Sequence, residues 1–206
     1  MLVPGSLGLI LSDLVPWSTV FWVVAAFMGV GILTTLFIRE VSDDALAPHT
    51  LREAVVEPFV EFFSRDGFRG ALAILAFMFL YKLGDNMATA LATPFYIDMG
   101  YSLTEIGTIA KFSALWASIA GSVIAGVVML KLSINRALWA FGFVQLLTIL
   151  GYVWLSTAGH TPIGLFAVVS GEYIGVGLGT VALTAFLARE TSRAFTATQF
   201  ALFTAF

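Results

Sequence analysis

The residues of this chain that could do chemistry are the few charges set inside otherwise apolar stretches. Lys82 and Asp85 stand three apart, so on a helix they meet on one face as an ion pair. Asn86 lies beside them, and Asp85, Thr89 and Thr93 continue a polar line along that face. Lys111 aligns at helical spacing with Ala114, Ser118 and Ser122, a small and polar stripe. Glu172 stands alone within its apolar run, so any opposite charge must come from another helix. A charge at the centre of a bilayer costs about 2.5–3.5 kcal/mol, so each of these needs a reason. One reading is a polar cavity between helices, where Asp85 or Glu172 takes up and releases a proton and the lysines bind an anion. The purely structural reading is that Lys82 and Asp85 neutralise each other while Glu172 is hydrogen-bonded to neighbouring helices.

The elements that must position these residues are membrane-spanning helices. About 20 mostly apolar residues cross a hydrocarbon core about 30 Å thick. Charge-free runs at 14–38 and 112–130 are long enough alone, and the run at 137–171 is split by a turn around His160 and Pro162. Two further spans form only if charges are admitted: 70–81 and 86–97 join through Lys82 and Asp85, and 173–188 extends backwards through Glu172. Five helices are predicted, at approximately 16–38, 70–96, 105–130, 136–156 and 162–188. Residues 2–11 read as the tail of an earlier helix and 195–206 as the start of a later one, so the chain reads as a fragment.

Composition supports this. Hydrophobic residues make up 59% and charged residues 11%, about half the charged share of a soluble domain. That excludes a soluble enzyme, a nucleic-acid-binding domain and a disordered chain. The absence of cysteine removes disulfides and thiolate metal sites. Of the ten Lys and Arg residues, Lys82 and Lys111 fall within predicted helices. The other eight occupy loops of one side: Arg39, Arg52, Arg65, Arg69, Lys131, Arg136, Arg189 and Arg193. The positive-inside rule makes that side cytoplasmic.

The connection at 39–69 carries its own helix signal. Thr50 and Glu53 form a capping-box pattern, and Leu51, Val55, Phe59 and Phe62 make an apolar stripe suited to the membrane interface. Pro58 is expected to interrupt or kink it. Small residues repeat every four positions at Gly171, Gly175 and Gly179, which lets helices approach closely and leaves these glycines, with Gly84, as packing or hinge candidates. Gly84 and Pro94 are expected to break their helix, as in the discontinuous helices of transporters. No HExxH, GxSxG or GxxxxGK[ST] motif occurs, and both histidines fall in loops, so neither enzyme chemistry nor a metal site nor a cofactor is expected.

Several blocks resemble the AmpG-type muropeptide permeases of the major facilitator superfamily. They are Leu51-Arg-Glu-Ala-Val-Val-Glu-Pro58 with Phe62-Phe63, Tyr81-Lys-Leu-Gly-Asp85, Ile106-Gly107 through Lys111, Arg136-Ala-Leu, and Phe195-Thr-Ala-Thr-Gln-Phe-Ala-Leu202. The resemblance implies an all-α, polytopic membrane protein holding part of a two-half fold. Residues 1–38 would hold the end of span 5 and span 6 of the N-terminal half, and 39–69 the cytoplasmic interdomain loop. Residues 70–206 would hold spans 7–10 and the start of span 11. It also implies import of anhydro-muropeptides by proton symport across the bacterial inner membrane. The partners would be a glycopeptide substrate, protons, the lipid bilayer and an N-terminal half lying outside these residues, with no nucleic acid. The loop at Met129–Arg136 departs from the superfamily's signature, keeping basic residues without the acidic-then-arginine core. Two alternatives remain at this point: a transporter of another amphiphilic anion such as acetyl-CoA, and a membrane sensor that does not transport.

Overall fold

Five helices long and apolar enough to cross a membrane run through the computed structural model, which describes residues 2–12, 14–38, 50, 52–65, 67–192 and 195–204. They are α2 (Trp17–Phe37), α4 (Gly67–Asp98), a helix over Leu103–Met129, α7 (Ile134–Ala158) and α8 (Pro162–Glu190). Each overlaps its predicted span. Three shorter helices complete the described chain: α1 (Leu2–Ser12), α3 (Glu57–Arg65) and α9 (Thr196–Thr204). No strand occurs among the described residues. The molecule is an all-α, multi-pass membrane protein.

Local chemistry sets the helix ends. α4 stops at Gly100, whose φ of 86° is open to glycine at little cost. There the Tyr101 amide donates back to the Tyr96 carbonyl and the Gly100 amide to Ile97, which satisfies carbonyls the helix leaves free. The next helix opens with Ser102, whose hydroxyl accepts from the Glu105 amide while the Glu105 carboxylate accepts from the Ser102 amide. It begins as a short α turn, α5 (Leu103–Glu105), widens to i→i+5 bonding over Ile106–Lys111, and continues as α6 (Phe112–Met129). α7 ends at Gly159, and α8 starts with Pro162, where a missing amide costs nothing.

α8 is the central helix, packed against α6 on one side and α7 on the other. α6 and α8 approach most closely where glycines face backbone. A Cβ on Gly121 would sit 2.3 Å from the Ile174 carbonyl oxygen, and one on Gly177 2.5 Å from the Ser118 carbonyl oxygen. α2 packs chiefly on α1, and Val20 is its one buried residue.

Two predictions change. α4 is unbroken through Gly84 and Pro94. A proline in a membrane helix is tolerated where neighbouring groups satisfy the freed carbonyl, so neither residue makes a discontinuous helix here. In the loop, a wide turn over Arg52–Val56 runs directly into α3, and Pro58, the second residue of α3, follows this change of bonding. The expected stripe is not a single buried face either: Pro58 and Phe62 are buried, Val55 and Phe59 exposed, and Leu51 lies outside the described residues.

Candidate functional site: a polar layer between two apolar clusters

The buried side chains of the four packed spans divide into two apolar clusters. One, at the basic end, gathers Met78, Phe141, Leu178 and Phe186; the other, at the opposite end, gathers Ala92, Tyr96, Leu155 and Val169. Between them, at intermediate positions on α4, α7 and α8, lie the buried polar residues Asp85, Gln145 and Glu172. A polar layer in mid-span is therefore walled by hydrocarbon above and below, where charge interactions are far stronger than in water.

Lys82 pairs with Asp85 across one turn of α4, and its ammonium also donates to the Thr180 hydroxyl of α8 at 3.3 Å. Asp85 is 6% exposed and keeps one carboxylate oxygen buried without a hydrogen bond. Glu172 is 3% exposed and keeps one oxygen in the same state. Buried carboxylate oxygens are normally satisfied, so two such atoms in one layer set it apart from the rest of the buried interior. Asp85 and Glu172 lie within electrostatic reach of one another, and the Thr148 hydroxyl lies beside Glu172. No ion pair to Glu172 exists among the described residues. Towards the non-basic end the layer is capped by aromatic rings, with the Tyr96 and Tyr152 hydroxyls 3.0 Å apart.

Glycines on α8 make this layer possible. A Cβ on Gly175 would fall 2.9 Å from the Thr148 hydroxyl, and one on Gly179 2.5 Å from the Gln145 side-chain oxygen. A Cβ on Gly171 would stand 3.9 Å from the Thr148 methyl, an ordinary contact. Gly175 and Gly179 thus clear space for the polar side chains of α7, whereas Gly177, on another face, takes the α6 backbone.

The family model for the Major Facilitator Superfamily matches residues 1–206. The chain belongs to that superfamily. It is 39% identical to the anhydromuropeptide permease of Escherichia coli K12 over 100% of its own length and 42% of that protein. It is 46% identical to an uncharacterized protein of Haemophilus influenzae over 98% of its own length and 50% of that one. The chain therefore spans about half the length of the curated relatives it matches. No solved structure matches it.

Within this facilitator chain the residues singled out from sequence separate into groups. Lys82, Asp85 and Glu172 come together in the polar layer. Asn86 points away and is exposed. Lys111 closes the wide turn at 106–111, half-buried, and no hydrogen bond or ion pair ties it to the layer. Wide turns of this kind often mark functional positions in helices. Gly84 faces open space, with nothing within 4 Å of a Cβ built there. Sequence reasoning missed Gln145, Thr148 and Thr180. The signal was present in Gln145, the one side-chain amide between Arg136 and Ser156, but a search by charge passes over it. A cavity of about 580 Å³ between α4 and α7 is lined by apolar groups including Phe77, Trp139 and Phe143, and lies apart from the carboxylates. Tyr81, at its edge, donates to the Leu138 carbonyl at 3.3 Å.

Proposed function

We propose that this chain is part of a secondary active transporter that imports cell-wall-derived anhydro-muropeptides by proton symport with alternating access. The reading places it in the bacterial inner membrane, with the basic loops facing the cytoplasm. Support comes from superfamily membership, from the 39% identity to the anhydromuropeptide permease, and from the polar layer itself. α2 then serves as the sixth span and α4 as the seventh, with residues 39–69 linking the two halves. The other half, in the sequence beyond these residues, completes the central site.

The observation that carries the mechanism is that two buried carboxylates share the layer with a single lysine, which pairs with Asp85 alone. Lys82 neutralises Asp85, so Glu172 is the carboxylate for which proton binding removes an uncompensated charge. Glu172 carries the coupling proton in this reading. Lys82 exchanges its Asp85 partner for a carboxylate of the peptide stem, since an ammonium in a low-dielectric site attracts an anion strongly. Thr148 and Thr180 hold the two charged groups in register.

Uptake of labelled anhydro-muropeptide by cells expressing the full-length parent, with and without a protonophore, tests this. Protonophore-sensitive uptake is expected, and Glu172→Gln should abolish accumulation against a gradient while sparing exchange of substrate across the membrane. No uptake by a well-expressed, folded parent refutes the substrate. Gradient-driven accumulation by Glu172→Gln refutes the role of that carboxylate.

A further inference from the structure

Two corners of the chain meet at the non-basic end: residues 99–102, between α4 and α5, and residues 159–161, between α7 and α8. Tyr101 joins them. Its side chain is 3% exposed, and its hydroxyl donates to the Thr161 carbonyl and accepts from the Thr161 amide, each at 3.0 Å. Against the Tyr101 ring lies the imidazole of His160, with ring centroids 4.4 Å apart and planes 35° from parallel. The His160 Nε2 stands 3.3 Å from each carboxylate oxygen of Glu105. That carboxylate is held in place, because it accepts from the Ser102 amide at 2.9 Å and from the Ser102 hydroxyl at 3.0 Å. An imidazole thus sits between a fixed carboxylate and an aromatic face, two partners that bind a cation more strongly than a neutral ring.

Few other titratable groups surround it. α1, which packs on α5, carries none over Leu2–Ser12, and α8 carries none before Glu172. α4 and α7 bring Tyr96 and Tyr152, whose hydroxyls bond each other. Among the described residues, the other charges towards this end are the exposed Asp98 and Lys111, the latter six residues further into the span than Glu105. Histidine is the side chain whose charge changes between about pH 5 and 8. Protonation of His160 turns its contact with Glu105 into a bond between full charges and sets a cation against the Tyr101 ring. Both partners are in place only in the folded chain, so this stabilisation is present below the titration of the imidazole and is lost as pH rises through it. We propose that His160 and Glu105 form a pH-sensitive clasp between the two corners, which tightens as the non-basic side becomes acidic. The clasp holds the non-basic end of α8, the helix that carries Glu172. In the transport reading this side faces the compartment that supplies the protons, so the clasp tightens under the condition that drives uptake. That consequence rests on the transport reading; the clasp itself does not.

Hydrogen exchange of the full-length protein in detergent micelles tests the clasp at about pH 5.5 and about pH 8, towards the two limits of the histidine range. Each variant is compared with its own background at the same pH, which cancels the intrinsic pH dependence of exchange. His160→Gln should speed exchange over residues 159–163 about two- to fivefold more at the acidic pH than at the alkaline one, the range of a partly exposed ion pair. In a Glu105→Gln background that pH difference should shrink. An equal effect at both pH values overturns the proton dependence, and an undiminished difference without the carboxylate overturns Glu105 as the partner. Uptake reads the consequence: the ratio of the rates at the two pH values should fall in His160→Gln. A ratio equal to the parent's overturns the link to transport, whereas absence of uptake by the parent refutes the transport reading itself.

Discussion

The crossing of α6 and α8 sets a steric test whose sign depends on backbone. A Cβ at Gly121 would lie 2.3 Å from the Ile174 carbonyl oxygen and 3.0 Å from its carbonyl carbon; at Gly177 it would meet the Ser118 oxygen at 2.5 Å and the Ser122 nitrogen at 2.8 Å. These obstacles are main-chain atoms inside helices, so no rotamer change relieves them. The helices must part by about 1 Å, and a gap of that size forfeits about a quarter to a half of the dispersion energy of the atoms it separates. Overpacking of this kind costs about 1–3 kcal/mol, set against a gain of up to about 1 kcal/mol from replacing glycine by alanine in a helix. Gly121→Ala and Gly177→Ala should each destabilise the full-length protein by about 1–2 kcal/mol. Gly84→Ala is the control, because nothing lies within 4 Å of its Cβ, and it should be neutral or slightly stabilising. Thermal unfolding in detergent micelles reads all three. A Gly121→Ala protein that unfolds with the parent, or a Gly84→Ala protein as unstable as it, would refute the close-approach argument. Gly84→Ala also tests the hinge expectation: impaired uptake at full stability would keep it, and normal uptake would remove it.

Two further perturbations probe the polar layer and the non-basic end. Lys82→Met strands Asp85, 6% exposed, without its counter-charge; breaking a buried pair from one side costs about 3–5 kcal/mol, and the partial exposure of Lys82 brings the expected loss to the lower part of that range. Adding Asp85→Asn should recover most of the stability but not the uptake, and a double variant no more stable than Lys82→Met would refute the pairing. Tyr101→Phe removes a hydroxyl that donates to the Thr161 carbonyl and accepts from the Thr161 amide, each at 3.0 Å. The loss leaves the Thr161 amide to find water, while its carbonyl keeps the Leu165 amide, so faster hydrogen exchange over residues 159–163 and a cost of about 1–3 kcal/mol are expected; unchanged exchange there would show that the bond does not hold the turn.

The spans were legible because a bilayer imposes length and polarity on each helix separately, and both are local properties of sequence. The same locality made the Lys82–Asp85 pair readable, since three residues of helix bring the two side chains onto one face. It failed at Gly84 and Pro94. Breaker residues carry a cost in an isolated helix, but α4 continues through both, and whether a helix breaks is decided by its surroundings. The loop helix failed in a similar way. Its apolar spacing was visible, yet the buried pair is Pro58 and Phe62, selected by contacts to residues more than 130 positions away such as Gln199 and Phe203.

The polar layer shows why charge was an incomplete guide to the site. Asp85 and Glu172 were found as isolated expensive residues, but their proximity is a product of helix packing, and no spacing in the chain encodes it. The small-residue repeat on α8 was read as packing and does permit packing, though what Gly175 and Gly179 admit is polar: the Thr148 hydroxyl and the Gln145 amide, not a flat apolar face. A small residue facing a neighbour's polar side chain in mid-span has a different consequence from one facing backbone. At Gly177 the backbone of α6 fills the space, and any side chain there must push two helices apart. At Gly179 the occupant is the far end of a flexible glutamine, which can swing away, so the position constrains where a polar group sits more than whether the helices pack. The glycines that hold this molecule together and those that shape its polar layer are thus told apart by the atoms opposite them, and that information exists only once the helices are assembled.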